Sequence, residues 1–234
     1  MALAEDQISV SSGTTEYHVD SEHGGIRMAT MGLFIVMFFV GFFLTNALIS
    51  DAGINLLSVL VGILLATVVT MVGERQLKRV WKSGRMVVID EHSVQIIKNG
   101  TQELKVTRED GVNAILWSFK INRRSRVPKG YSMFACALER EDERHLTAYT
   151  FMSPAQTSAF EAAGRFKPIQ SRKEQQKNQA NNALREELRA AGEQRRLREA
   201  EDYRWMNGAE MSADDFVAYF ARLEAQFSEW MPLR

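Results

Sequence analysis

The hydrophobic pattern of the chain is dominated by two long stretches without charged residues, which a short polar link separates. No Asp, Glu, Lys or Arg occurs in residues 28–50 or in residues 52–73. About 20 apolar residues in a helix cross a hydrocarbon core roughly 30 Å thick, and a helix satisfies its own backbone in lipid. The pattern therefore predicts a transmembrane hairpin over 28–73, with spans at about 29–49 and 54–73 and a tight link at 50–53.

Charged residues on either side of the spans predict the orientation of the hairpin. The link between the spans has no basic residue, whereas the second span is followed at once by Arg75, Lys78, Arg79, Lys82 and Arg85. Because basic flanks stay on the cytoplasmic side, we expect both termini to lie in the cytoplasm. A cleaved signal peptide would need a basic leader, but residues 1–27 are acidic; we expect them to form a flexible leader.

Short β-branched segments replace the apolar helices after residue 85. The alternation predicts a series of strands between residues 86 and 152, with Asn99-Gly100 as the strongest hairpin turn. Ser153 followed by Pro154 then predicts the start of a helix that reaches about Phe166. Several antiparallel strands with one closing helix predict a small barrel or a strongly bent sheet over 85–166. The predicted fold class is therefore an α+β membrane protein.

A resemblance to a known family rests on three segments that follow the hairpin. They are "VVIDEHSVQIIKNG", the Trp-containing strand "ILWSFK", and the closing stretch "YTFMSPAQTSAFEAAGRF". In this order they resemble the bacterial membrane-tethered pleckstrin-homology-like (PH-like) domains, and most closely the YcxB-like group, over roughly residues 30–166. The family often has Gly where this chain has Ser93, and the C-terminal extension lies outside the family pattern. The resemblance implies a cytoplasmic PH-like barrel without catalytic residues, used for binding or assembly. Together with the two predicted spans, it leads us to expect a multi-pass protein of the bacterial inner membrane.

Two further helices are predicted in the C-terminal third. Residues 171–205 are rich in Gln, Glu, Arg, Ala and Leu, which favours a charged helix without a sustained coiled-coil pattern. Residues 212–231 predict an amphipathic helix with an aromatic stripe formed by Phe216, Tyr219, Phe220, Leu223, Phe227 and Trp230. An exposed apolar patch of this size is rare on a soluble monomer, so another surface must pack against the stripe. It either packs onto its own domain or binds a partner subunit, and we assign these six residues as candidate partner-binding residues.

Basic residues near the predicted membrane surface are candidates for contact with lipid headgroups. They lie in the flank of the second span and in a basic loop at residues 122–130, namely Lys78, Arg79, Lys82, Arg123, Arg124, Arg126 and Lys129. Each such charge contributes about 1 kcal/mol of attraction near an anionic surface. A solvated loop close to anionic lipid is the alternative.

Small residues recur along the second span at Gly53, Ser58, Gly62 and Ala66. Such a face permits close helix packing, either between the two spans or with another membrane subunit.

Residues that would carry chemistry are scarce. Cys136 is the only cysteine and lies among alternating apolar residues, as a core residue does; it has no second Cys to hold zinc with it. We therefore expect no metal, no cofactor and no enzymatic activity, and the formal net charge of +0 gives no reason to expect nucleic acid.

The expected function is a membrane-anchored scaffold or accessory subunit that holds a larger complex at the cytoplasmic face. Its partners would be membrane lipid and other membrane-complex subunits, or further copies of the chain. The alternative is a PH-like module that senses anionic lipid headgroups or a small ligand.

Overall fold

The computed structural model describes residues 13–20, 24–49, 55–122, 126–140, 145–170 and 184–232. The chain divides into two units: residues 20–83 form a helical unit, and residues 1–19 together with 84–234 form a mixed α/β domain.

The helical unit consists of two helices that are long and apolar enough to cross a membrane. Helix α1 covers Gly24–Ile49, and helix α2 covers Leu56–Val80. Only 6% and 17% of their most apolar windows are buried, unlike the core helix of a soluble protein. The predicted link at 50–53 lies outside the described residues. Helix α2 runs beyond the predicted end at residue 73, because Glu74 and Lys78 pair at (i, i+4) spacing, 2.7 Å apart. Within the described residues two such helices are found, fewer than the predicted multi-pass location requires.

Residues 15–18 of the acidic leader form a strand, which corrects the prediction of a flexible segment at these positions. Strand β1, Thr15–His18, pairs antiparallel with strand β2, Arg85–Ile89. Tyr17 and Val19 are buried, whereas Glu16 is exposed. The acidic composition concealed this two-residue alternation, which directs the apolar side chains inward and leaves the charges outside.

Two sheets form the α/β domain. The first has the order β1-β2-β3-β4, with β3 at Ser93–Lys98 and β4 at Thr101–Thr107. As the sequence predicts, the turn between β3 and β4 is Asn99-Gly100, with φ values of 49° and 79°. The second sheet is built on the antiparallel strands β5 (Asn113–Lys120), β6 (Ser132–Glu139) and β7 (His145–Met152).

Short elements extend the second sheet. After β7 come helix α3, Pro154–Ala159, with the capping box that Ser153 and Gln156 form, and a 3₁₀ turn at Glu161–Arg165. Strand β8, Lys167–Pro168, runs parallel to β5, and strand β9, Ala209–Glu210, runs parallel to β7. In the described residues neither sheet closes on itself, so the predicted closed barrel is not present.

Two C-terminal helices cover the second sheet on opposite faces. Helix α4, Leu184–Asn207, packs Leu197 and Ala200 against a layer that contains Ile115, Trp117 and Met133. Residues 171–183 of the predicted charged helix lie outside the described residues. Helix α5, Ala213–Gln226, and a 3₁₀ turn at Ser228–Trp230 join the core that the two sheets share. Because both faces of the sheet are covered, β6 is buried at every position from Ser132 to Leu138.

Candidate functional site

The aromatic stripe of α5 forms the core of its own domain, which corrects its assignment as a partner-binding surface. Its six residues are between 0% and 4% exposed: Phe216, Tyr219, Phe220, Leu223, Phe227 and Trp230. The ring of Phe220 lies 5.9 Å from that of Phe160 and 5.2 Å from that of Phe166. The open sheets leave a wide apolar space, which the large rings fill. Burial of each such side chain stabilises the fold by about 1.5–3 kcal/mol.

The small residues of α2 lie in the helical unit. Ser58 and Ala66 are fully buried, and a Cβ added to Gly62 would meet the carbonyl oxygen of Phe38 at 2.9 Å. The three positions are four residues apart and share one face, so this face packs against α1. Gly53 lies outside the described residues.

The basic residues assigned to lipid headgroups are divided between the two units. In the helical unit, Lys78 pairs with Glu74 and Lys82 is exposed. In the α/β domain, Arg126 and Lys129 are exposed on the loop between β5 and β6. The side chain of Arg79, together with Arg123 and Arg124, lies outside the described residues.

Two arginines hold the segment that joins α4 to β9. Arg85 donates from Nη1 to the carbonyl of Gly208 at 3.1 Å and from Nη2 to the carbonyl of Asn207 at 2.9 Å. Arg126 pairs with Glu210 at 2.5 Å, and Tyr149 donates its hydroxyl to the same carboxylate at 3.0 Å. Arg126 is thus already engaged by a carboxylate of its own domain. The carbonyls at the C-terminus of α4 carry partial negative charge, which a cation such as Arg85 stabilises.

A polar network ties α4 to the second sheet. The indole N–H of Trp117, a fully buried residue, donates to Glu201 Oε2 at 2.9 Å. Glu201 also accepts two hydrogen bonds from Arg204, at 2.8 and 2.6 Å. The Arg204 guanidinium lies 4.4 Å from the centroid of the Tyr149 ring. The network satisfies both a buried donor and a buried cation, which would otherwise destabilise the packed helix.

Two large apolar side chains are exposed beside this network. Trp205 is 78% exposed and Met206 is 77% exposed, at the C-terminal end of α4. The buried Trp117 and Trp230 differ sharply from Trp205 in this respect. Tryptophan is highly buried on average, so an exposed Trp-Met pair is an unusual surface feature.

Two titratable groups of the core, Cys136 and Tyr219, are fully buried. Burial raises the pKa of the Cys136 thiol to about 12, so the thiol is protonated and unreactive at neutral pH. Burial also raises the pKa of Tyr219 well above its ordinary value. Within the described residues, no group of three or more His, Cys, Asp and Glu side chains is arranged to hold a metal ion.

Sequence reasoning missed Arg85, Glu210, Trp205 and Met206 as parts of a site. The sequence pattern identified Arg85 only as one of the basic residues that flank the second span. It identified Trp205 only as the last residue of the predicted charged helix. The stop at Asn207-Gly208 directly after Trp205-Met206 was the available signal, because it places two large apolar side chains at a helix terminus.

Comparison of the chain with family models, with curated proteins and with solved structures finds no match.

Proposed function

We propose that this protein is a non-catalytic, membrane-anchored scaffold or accessory subunit, whose α/β domain holds a partner at the cytoplasmic face of the bacterial inner membrane. The observation that carries the proposal is the pairing of β1 with β2. These strands flank the two apolar helices in sequence, and the backbone N–H of Val19 donates to the carbonyl of Arg85 at 3.1 Å. One folded domain therefore receives both ends of the apolar hairpin.

A domain with two chain connections has less freedom of orientation than a domain with a single connection. A domain on a single flexible linker samples many orientations, whereas two adjacent attachment points remove much of that freedom and raise the effective concentration of a bound partner. Restricted orientation is what a subunit that positions a partner at a membrane requires. An even number of spans also keeps both flanks on one side, and the basic residues after α2 favour the cytoplasmic side.

The order of elements supports a PH-like assignment of the domain. Two antiparallel meanders, β2–β4 and β5–β7, precede a helix that begins at Ser153-Pro154. The resemblance to the YcxB-like group implies part of this order: an opening strand, a Trp near the middle, and a closing strand that leads through a Ser/Pro step into a helix. Helices α4 and α5 would then be additions that cover both faces of the second sheet.

The experiment is extraction of the tagged full chain from native membranes in polymer nanodiscs. If the domain holds a partner, a defined protein co-purifies at constant stoichiometry. Tyr17→Ala, which loosens β1, should reduce this stoichiometry, and the matched change Glu16→Ala on the exposed face of β1 should not. Recovery of the wild-type chain alone would contradict the proposal.

The alternative function, sensing of anionic headgroups by the basic loop, is weakened by one contact. Arg126 is paired with Glu210 and lies 5.6 Å from the centroid of the Phe151 ring. A headgroup phosphate would have to compete with this carboxylate.

A further inference from the structure

The end of the α/β domain that bears its two chain connections can be identified from contacts within the domain. The backbone N–H of Asn99 donates to the carbonyl of Gly84 at 2.7 Å, so the turn between β3 and β4 lies beside the start of β2. Residues Asp90 and His92 form the turn at the other end of β2. We call the end at Gly84 and Val19 the connection end, and the end at His92 the distal end.

The exposed Trp205 and Met206 belong to the connection end. Arg85 is the first residue of β2, and it binds the carbonyls of Asn207 and Gly208, which follow Met206 directly. Arg85 also donates to Glu103 at 2.8 Å, which fixes the guanidinium from a second side. The C-terminus of α4 is thereby held beside the residue at which the chain enters the domain from α2, although 122 positions separate Arg85 from Asn207.

The two chain connections of the α/β domain are short. Only Trp81, Lys82 and Ser83 separate the end of α2 from Gly84. Four Cα–Cα steps span at most about 14 Å in an extended chain. Val19 and the start of α1 at Gly24 are separated by four residues, so the second connection is comparably short.

We propose that Trp205 and Met206 form an interfacial membrane contact, in which both side chains insert into the boundary between the lipid headgroups and the acyl chains. This contact rests on the membrane anchoring proposed above. It identifies lipid as the partner that covers the two exposed side chains. Trp is the side chain that membrane proteins enrich at this depth, because its ring is apolar and its N–H still finds a polar partner. Met is flexible and apolar and fits an irregular lipid surface.

The contact differs physically from electrostatic sensing of headgroups. Insertion of apolar side chains buries apolar area, so it needs neither anionic lipid nor low salt. Attraction through basic residues requires anionic lipid and weakens strongly as salt shortens the screening length. Lipid charge and ionic strength therefore separate the two mechanisms.

The test uses the full-length chain in nanodiscs of zwitterionic phosphatidylcholine. Met206→Cys is labelled with an environment-sensitive fluorophore, and His92→Cys, at an exposed position of the distal end, is the matched control. The native Cys136 is fully buried and does not compete for label. We expect a blue-shifted emission at position 206 and quenching by nitroxide-labelled lipid, both unchanged at high salt, and neither effect at position 92.

A second measurement uses the native side chain. Acyl-brominated lipid should quench part of the Trp emission of the wild-type chain, and Trp205→Phe should lose that quenched part. This readout does not depend on the label at position 206. Equal quenching of the wild-type chain and of Trp205→Phe would overturn the proposal.

Other outcomes are equally decisive. Quenching at position 206 that needs anionic lipid and disappears at high salt would replace insertion by headgroup attraction. Protection of position 206 from both lipid-borne and aqueous quenchers would indicate a protein contact, such as a second copy of the chain, and would overturn the proposal. Flotation of the chain with liposomes is measured in parallel: failure to float contradicts the membrane anchoring itself, whereas flotation with a solvent-exposed position 206 contradicts only the interfacial contact.

Discussion

Val19 donates its backbone N–H to the carbonyl of Arg85 across 66 positions of sequence, at a distance of 3.1 Å. The two residues flank the apolar hairpin, Val19 before α1 and Arg85 after α2. Their hydrogen bond continues the ladder between β1 and β2, in which Tyr17 faces Val87 and His18 faces Met86. The pairing makes the N-terminal segment a structural part of the domain that follows the second helix.

We predict that Tyr17→Ala destabilises the α/β domain by about 3 kcal/mol, because it leaves a cavity under β1. Tyr17 is 7% exposed, and its ring meets that of Tyr219 edge to face at 5.9 Å between centroids. Denaturant unfolding of the full chain in detergent, followed by Trp fluorescence, measures the loss. Glu16→Ala, on the exposed face of the same strand, should change the stability by less than about 0.5 kcal/mol. Equal effects of the two substitutions would show that β1 is not packed as described.

Close packing of α1 and α2 should make Gly62 intolerant of a side chain. A Cβ at Gly62 would lie 2.9 Å from the carbonyl oxygen of Phe38, whereas a Cβ at Gly32 would meet nothing within 4 Å. We therefore expect Gly62→Ala to destabilise the helix pair by about 1–3 kcal/mol through overpacking. Gly32→Ala in the same helical unit is the matched control and should leave the stability unchanged or slightly raised. Thermal unfolding in a mild detergent compares them, and a tolerated Gly62→Ala would contradict the close approach.

Glu201 should be the residue on which the docking of α4 depends most. Glu201→Ala leaves the buried Trp117 N–H without its acceptor and removes the carboxylate that binds Arg204, a residue that is 5% exposed. We expect a loss of about 2 kcal/mol in unfolding free energy. Glu201→Gln, which keeps an acceptor for Trp117, should recover part of it. Glu199→Ala, which removes an exposed partner of Arg195 on the same helix, should have no measurable effect. The assignment fails if Glu199→Ala is as harmful as Glu201→Ala.

The turn at Asp90 should make the stability of the domain depend on pH in the acid range. Burial alone would raise the pKa of the Asp90 carboxyl, but hydrogen bonds from Ser93, His92 and Gln95 outweigh burial and lower the pKa below its ordinary value. A carboxyl with a lowered pKa in the folded state stabilises that state fully above its unfolded-state pKa of about 3.9. This contribution is lost as the pH falls through the pKa of the folded state.

The matching measurement compares the wild-type chain with Asp90→Asn between about pH 7 and about pH 2. Asp90→Asn should be less stable at neutral pH, and the difference between the two should shrink as Asp90 becomes protonated. A difference that stays constant over this range would show that ionisation of Asp90 contributes nothing to folding.

Several elements could be predicted from local sequence signals. The two uncharged runs predict α1 and α2, because a helix that crosses a membrane needs about 20 consecutive apolar residues. The turn at Asn99-Gly100 and the helix start at Ser153-Pro154 follow from backbone preferences of two neighbouring residues. The burial of Cys136 could be expected from its apolar alternation.

The surfaces that these elements cover depend on tertiary contacts, which local signals do not report. Periodicity shows that the stripe at Phe216 and Phe220 must be covered, but the space that receives it exists only when the two open sheets face each other. Strand β1 is equally non-local, since four residues of an acidic segment become ordered by pairing with a strand 70 positions later. The same holds for Arg85, whose partners at Asn207 and Gly208 come from the far end of the chain. Sequence patterns report local preference, whereas the partner of an apolar face or a charge depends on surfaces that distant segments create on folding.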